Sequence, residues 1–191
     1  GNTANVINMD STGLTLSSTG QLKLQSTDSI IIGGSPFSVG GTNLIPNSGN
    51  FKNTTGWSIW SAGGGETLGL YDAGANLGNM LYIQNVNEQV FLRSSVLNHR
   101  FFAGQPYTIS FIGYGSPING EFIVSVADDN GANAVIAPTY AKYIETVSGW
   151  YQRYAVTGIA TGTQNNPRLR IEYIPGSLTL CRFTNIQLEK G

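Results

Sequence analysis

The sequence predicts an all-β protein: a two-sheet β-sandwich of jelly-roll type, preceded by a short β segment of different character. Three observations carry that reading. Nine or ten short apolar runs with near-regular alternation fall within about 150 residues. Gly, Asn, Ser and Thr separate those runs at turn-like intervals. No stretch sustains a helical period.

Composition narrows the function classes. Charged residues make up 11% of the 191-residue chain, which holds 25 glycines. Ten basic and eleven acidic residues leave a net charge of −1, so nothing attracts a phosphate backbone at long range and no nucleic-acid partner is expected. The single cysteine, Cys181, excludes an internal disulfide framework and a multi-cysteine metal site, and reads as a small buried hydrophobe. No apolar run reaches the ~18 residues of a membrane span, so no membrane partner is expected. Gly1 stands where an initiator Met would, and no signal-peptide pattern follows, which reads as a piece of a longer protein.

Residues 1–40 hold four short alternating runs, at Val6–Met9, Leu14–Leu16, Leu22–Leu24 and Ile30–Ile32, separated by Ser-Thr-Gly or Ser-Thr-Asp. The last three start about eight residues apart, a short β repeat. No aromatic precedes Phe37. One apolar row per run has too little bulk to close a core alone. The economical solution is an intertwined trimeric β-shaft with Leu14, Leu16, Leu22, Leu24, Ile30 and Ile32 inward. A linker or an ordinary hairpin is the alternative. Gly33-Gly34-Ser35-Pro36 and Gly40-Gly41 mark the junction, which places a shaft at 1–40 and a head at 41–191. Phe37 and Val39 would pin the two together.

In the head, strands are expected at 66–71, 80–86, 89–97, 106–114, 120–127, 134–140, 150–157, 168–174 and 178–188. Tyr107, Ile109 and Phe111 share one strand face, as do Phe122, Val124 and Val126, and Leu169, Ile171 and Tyr173. Asp129-Asn130-Gly131 and Ile118-Asn119-Gly120 fit hairpin turns. The closing run LTLCRFTNIQLEKG is apolar enough to require an inner place in a sheet. Its apolar phase shifts by one between Leu180 and Phe183, which predicts a bulge there.

Four phrases carry a resemblance: NLIPNSGNF…GW from Asn43, GQPYTISFIGYG, GWYQRYAVTG and the closing LTLCRFTNIQLEKG. Together they resemble the carbohydrate-binding-module jelly rolls of bacteriophage tail proteins over residues 43–191, most specifically at the two ends. The N-terminal repeat is similar to the trimeric β-shafts of phage tail fibres and baseplate proteins. The resemblance implies a non-catalytic head on a homotrimer, attached to a virion tail among other tail proteins and reading cell-wall or capsular saccharide on a host bacterium. In the related modules of glycoside hydrolases it implies a structural calcium held near the first and last strands by an acidic side chain. Asn50 and Asn185 stand at those places here, so no cofactor or metal is expected; backbone carbonyls with Glu189 are the alternative donors.

A saccharide site needs an aromatic platform and side chains that make paired hydrogen bonds. Alternation puts Tyr82 and Gln84 on one face of their strand, Arg93 with Phe91 on another, Tyr114 with Thr108 and Ser110, and Arg170 with Glu172. If these strands share a sheet they form one polar face, with Trp57 or Trp60 as its wall. The competing readings are core packing for the tryptophans, and an ion network or trimer contact for Arg93, Arg170 and Glu172. Trp150 reads as structural.

An enzyme is not expected. A Ser-His-Asp triad would have to use His99, the one histidine, and no Gly-x-Ser-x-Gly elbow is present. Asp128-Asp129 sits in a turn, and spacing selects no carboxylate pair for glycoside hydrolysis. The alternative to saccharide reading is a structural trimeric tail module with a degenerate sugar site that docks other tail proteins.

Overall fold

The computed structural model describes residues 6–10, 13–17, 30–32, 35–37, 43–118, 121–148, 150–162 and 165–191. The chain divides into two compact units, Gly1–Val39 and Gly40–Gly191.

In the first unit, β1 (Val6–Asp10) pairs antiparallel with β2 (Gly13–Ser17), with Val6 opposite Ser17 and Asp10 opposite Gly13. Strands β3 (Ile30–Ile32) and β4 (Ser35–Phe37) form a second small hairpin. Leu14 and Leu16 therefore lie on β2, and Ile30 and Ile32 on β3. Leu22 and Leu24 lie outside the described residues.

The second unit contains β5 (Trp57–Ser61), β6 (Thr67–Asp72), β7 (Asn79–Gln84), β8 (Val90–Ser94), β9 (Pro106–Tyr114), β10 (Phe122–Ala127), β11 (Ala134–Ser148), β12 (Tyr151–Ile159), β13 (Arg168–Tyr173) and β14 (Cys181–Lys190). All pair antiparallel in the order β5-β8-β13-β10-β11-β12-β9-β14-β7-β6. The ladder folds back on itself at β11. Up to Ala141 this strand pairs with β10, and from Lys142 it pairs with β12. Two antiparallel sheets result, sharing one strand. Pro138 lies where the β10–β11 register slips between Val124 and Val126. A residue without an N–H is tolerated at such a break.

The two inner faces meet through aromatic side chains. Phe122 of β10 lies 5.4 Å from Phe111 of β9, 4.9 Å from Tyr154 of β12 and 5.4 Å from Phe183 of β14. Around them Val90, Leu92, Leu169, Ile171 and Val124 of one sheet face Leu81, Ile83, Ile109 and Leu188 of the other, all buried. The inward sets expected for the strands at 106, 122 and 168 are the buried ones.

Three expectations are corrected. Leu178 and Leu180 are not in a strand; β14 begins at Cys181. Its bulge lies further on, where the register with β9 slips between Thr184 and Gln187. There Asn185 adopts φ 48° and stands exposed, so Cys181 and Phe183 before it and Ile186 and Leu188 after it all reach the core. The strand does occupy an inner place, between β9 and β7. Strand β11 also runs to Ser148, well past the expected 140.

Between β7 and β8 the chain crosses from one sheet to the other. Asn85 turns it at φ 57°. Val86 is then fully buried, and its N–H donates to the Thr179 carbonyl at 2.8 Å. This crossing decides the layout of the candidate site.

Candidate functional site

On β5, β8 and β13 the apolar alternates face the core and the others face outward. Trp57 points in and is 7% exposed. Its indole N–H donates to the Asn47 carbonyl at 2.7 Å. Trp57 is thus a core residue that fastens the N-terminal loop, which corrects its expected role as a wall of the site. Trp60, three residues on, is 45% exposed on the outer face.

The strand register places Trp60 opposite Phe91 and Phe91 opposite Glu172. One pleat away it aligns Ser58, Arg93 and Arg170. The Trp60 and Phe91 rings lie 5.5 Å apart, and the Arg170 guanidinium sits 4.5 Å from the centre of the Phe91 ring. Phe91 is therefore a floor with the tryptophan on one side and the arginine on the other. Glu172 accepts a hydrogen bond from the Gln89 amide. With Gln89, Asp129 and Asn130, residues Trp60, Phe91, Arg93 and Arg170 line a hollow of about 500 Å³.

The β10–β11 turn closes this hollow. Asp128 accepts from the Ala132 N–H at 2.9 Å and the Asn133 amide at 2.6 Å. The Asn133 amide holds its carboxyl below the usual carboxylate range. Asp129 forms an ion pair with Arg168, which also donates to the Ser94 carbonyl at 2.9 Å. Gly131 has φ +75°, and a Cβ there would lie 1.6 Å from Arg170 Nη1. Glycine is what lets the turn lie against the guanidinium. Burial first, and then the neighbouring Arg93, push the Arg170 pKa down against the pull of Glu172 and Asp128. The Nε atoms of both Arg93 and Arg170 are buried without a hydrogen-bond partner among the described residues.

The other expected residues lie elsewhere. Because the chain crosses over after β7, Tyr82 and Gln84 belong to the second sheet, as does Tyr114 on β9. The single polar face expected from alternation is therefore two faces. Tyr82 and Tyr114 stand opposite Arg182 in the register. The Arg182 guanidinium lies 3.5 Å from the Tyr71 ring centre, 4.8 Å from that of Tyr114 and 5.2 Å from that of Tyr82. It also donates to the Tyr151 hydroxyl at 2.9 Å. Those tyrosines are spent on enclosing a cation of the chain itself. Gln84 is exposed at the end of β7. Sequence reasoning missed Gln89, Asp129 and Asn130 as site residues. The one available signal was the Asp-Asn-Gly turn, read only as a hairpin.

The residues at the calcium position do not fit that ion. The Asn50 amide oxygen accepts from the Asn79 N–H at 2.8 Å, and Asn185 serves the β14 bulge. Among the described residues no cluster of three His, Cys, Asp or Glu side chains forms, whereas calcium takes several oxygen donors, carboxylates among them. His99 lies half-buried beside the Phe101 ring and 3.0 Å from the Tyr107 hydroxyl. Burial and then Lys190 lower its pKa. No helix of the described residues is long and apolar enough to cross a membrane.

No family model and no curated protein matches this chain. Solved structures do. The enzymatically active domain of tailspike protein 4 from bacteriophage CBA120 is 15% identical, with a TM-score of 0.56 over 78% of this chain and 21% of that one. A cyclase from Fischerella sp. TAU, solved with 4-(1H-indol-3-yl)butan-2-one, gives 16% identity and 0.52 over 77% of this chain and 96% of that one. The CBM22-1–GH10 modules of Clostridium thermocellum endo-1,4-β-D-xylanase 10B, solved with xylohexaose, give 14% and 0.51 over 78% of this chain and 28% of that one. The chain thus spans about a fifth of the tailspike chain. The shared property is the fold: an all-β antiparallel sandwich of the kind used by carbohydrate-binding modules.

Proposed function

We propose that the head is a non-catalytic saccharide-binding module of a bacteriophage tail protein, working at the surface of the host bacterium. The observation that carries this reading is Trp60, a half-exposed indole tilted against the Phe91 ring above a hollow lined by amide, acid and guanidinium groups. A pyranose presents an apolar C–H face to such a ring and hydroxyls to such groups. The likeness to a phage tailspike domain and to a xylanase's CBM22-1–GH10 modules, with the phrases that resemble phage tail modules, supports the setting. The site residues proposed are Trp60, Gln89, Arg93, Arg170 and Glu172. Trp57, Tyr82, Gln84 and Tyr114 are not among them.

The test is binding of the labelled protein to purified bacterial cell walls and a panel of capsular and wall polysaccharides. Saturable binding is expected to at least one. Trp60→Ala should weaken it by about tenfold or more, since an aromatic anchor is lost. The circular dichroism spectrum should not change, because Trp60 lies outside the core. Wild-type protein that binds no wall and no glycan would sink the reading.

The first unit is proposed to trimerise. Its two hairpins are two-stranded, and such pairs are marginal in water alone. Three copies bringing Leu14, Leu16, Leu22, Leu24, Ile30 and Ile32 together would supply the missing core. Three weak saccharide sites on one trimer would then act together. Light scattering is expected to give a trimer for the intact chain and a lower state for residues 43–191. An intact chain that is monomeric would refute the shaft.

A second reading has its own observation. Around the β11–β12 turn, Tyr143, Ile144 and Trp150 are exposed, Trp150 at 81%. That surface suits docking onto other tail proteins, and this structural role is where the failed glycan panel would point.

A further inference from the structure

The hollow under Trp60 holds two guanidiniums, those of Arg93 and Arg170, and among the described residues neither makes an ion pair. Arg93 and Arg170 stand directly opposite each other on adjacent strands, and like charges so placed repel. The acids near them make their direct contacts elsewhere, while Glu172 and Asp128 still attract Arg170 through space. Asp129 pairs with Arg168, Glu172 accepts from Gln89, and Asp128 accepts from its own turn. Among the described residues the ion pair is Arg168 with Asp129; neither Arg93 nor Arg170 has a carboxylate in contact. Both also leave a buried Nε–H without an acceptor, and the protein's own buried polar groups are rarely left so. Arg170 is nevertheless held in place, between the Phe91 ring and the turn at Gly131. Two guanidiniums side by side with no carboxylate in contact, one of them held in place, beside an aromatic platform and open to a hollow of about 500 Å³, form a receptor for an anion attached to a ring.

We propose that Arg93 and Arg170 are an anion subsite of this hollow, taking an acidic saccharide by its carboxylate or phosphate oxygens while Trp60 covers a sugar ring. The inference rests on the saccharide reading above and names its ligand class. Guanidiniums suit both anions, because their planar donor forks match two oxygens of either group. Fixing Arg170 beforehand lowers the ordering cost of binding. The low net charge of the whole chain does not oppose this, since recognition here depends on local contact rather than on a long-range field.

The test uses the full chain and three probes in calorimetry or affinity electrophoresis. These are polygalacturonate, the same polymer fully methyl-esterified, and glucosylated poly(glycerol phosphate). At least one acidic polymer is expected to bind about tenfold or more tightly than the ester. The preference should shrink at about 0.5 M NaCl. It should vanish in Arg93→Gln/Arg170→Gln and persist in part in Arg93→Lys/Arg170→Lys, which keeps charge but loses the fork. Polygalacturonate or the phosphate polymer binding alone tells carboxylate from phosphate. Ester bound as tightly as acid, or a preference that survives in the glutamine variant, overturns the subsite while leaving a Trp60-dependent saccharide site standing. Binding of neutral glycans alone does the same. Failure of every glycan and wall removes both readings. Because both arginines face outward, the variants should keep the wild-type unfolding midpoint, and the lysine variant serves if the glutamine one does not.

Discussion

Phe122→Ala is expected to destabilise the head by about 3–5 kcal/mol, the range for deleting a large aromatic from a closed core. Phe122 is where the two sheets meet. Its ring contacts Phe111, Tyr154, Tyr173 and Phe183, with centroids 4.9–5.7 Å away, from both sides of the sandwich. Gly113 has no side chain partly because the ring is there: a Cβ at 113 would lie 3.1 Å from Phe122 Cε2. Removing the ring leaves a void bordered by other aromatics, which are too large to collapse into it without leaving their rotamers. Phe122→Leu fills part of the space and should cost roughly half as much or less. Urea unfolding followed by intrinsic fluorescence reads both. A loss under about 1 kcal/mol for the alanine variant would mean that the sheets are not held together at this ring.

Asn43→Ala should cost about 2–4 kcal/mol, because it strands several partly buried backbone groups at once. The Asn43 amide group donates to the Ser48 hydroxyl at 2.6 Å and the Ile186 carbonyl at 2.9 Å. Its oxygen accepts from the Ile45 and Leu188 N–H groups at 3.1 and 3.0 Å. The Ile186 and Leu188 groups belong to β14 beside its bulge, where the ladder to β9 is interrupted and backbone groups need other partners. Asn43→Asp keeps the acceptor and loses both donors, so it should fall between wild type and alanine. Thr108→Ala, which removes one exposed bond to Thr157, should change stability by less than about 0.5 kcal/mol. An alanine variant at 43 as stable as wild type would show that the opening loop is not fastened to the last strand.

The Asn43 bonds tie the first phrase of the head to its last. Residues 43–51 and 181–190 are complementary partners, so each constrains the other. Most strands of the head, though not β5 at Trp57–Ser61, were legible because pleating is local: alternation at Tyr107–Phe111, Phe122–Val126 and Leu169–Tyr173 states which side chains face the core. Alternation does not state which strands are neighbours. Tyr82 and Arg93 belong to strands separated only by residues 85–89, a spacing that suggests a hairpin, yet Val86 carries the chain to the other sheet. For that reason Trp60, Arg93 and Arg170 line one hollow, with Glu172 opposite Phe91, while Tyr82, Gln84 and Tyr114 do not join them. Trp57 and Trp60 differ for an equally local reason. Three residues apart, they fall on opposite faces of one strand, and the aromatic content of GWSIW could not say which faced out. The length of β11 was hidden because most of its described side chains past Ile136 are exposed, Ala141 being the buried exception, and a strand that passes from one sheet to another shows no steady period.

The shared strand gives the head the build of a bound book. β11 is the spine, and the fore-edge is where β5 and β6 end the two sheets. Leaves move least near the binding and most at the free margin. Trp60 is printed on the outermost leaf, β5, which among the described residues has β8 as its single ladder partner. Arg93 and Arg170 lie on β8 and β13, one and two leaves further in, each with a neighbour on both sides. The charged part of the hollow thus sits on strands paired on both sides, and the indole on one paired on a single side. On the proposed reading, such a site is more exacting about the position of an acidic group than about the shape of the ring beside it. That combination suits a surface polymer whose charged group recurs while its sugars vary.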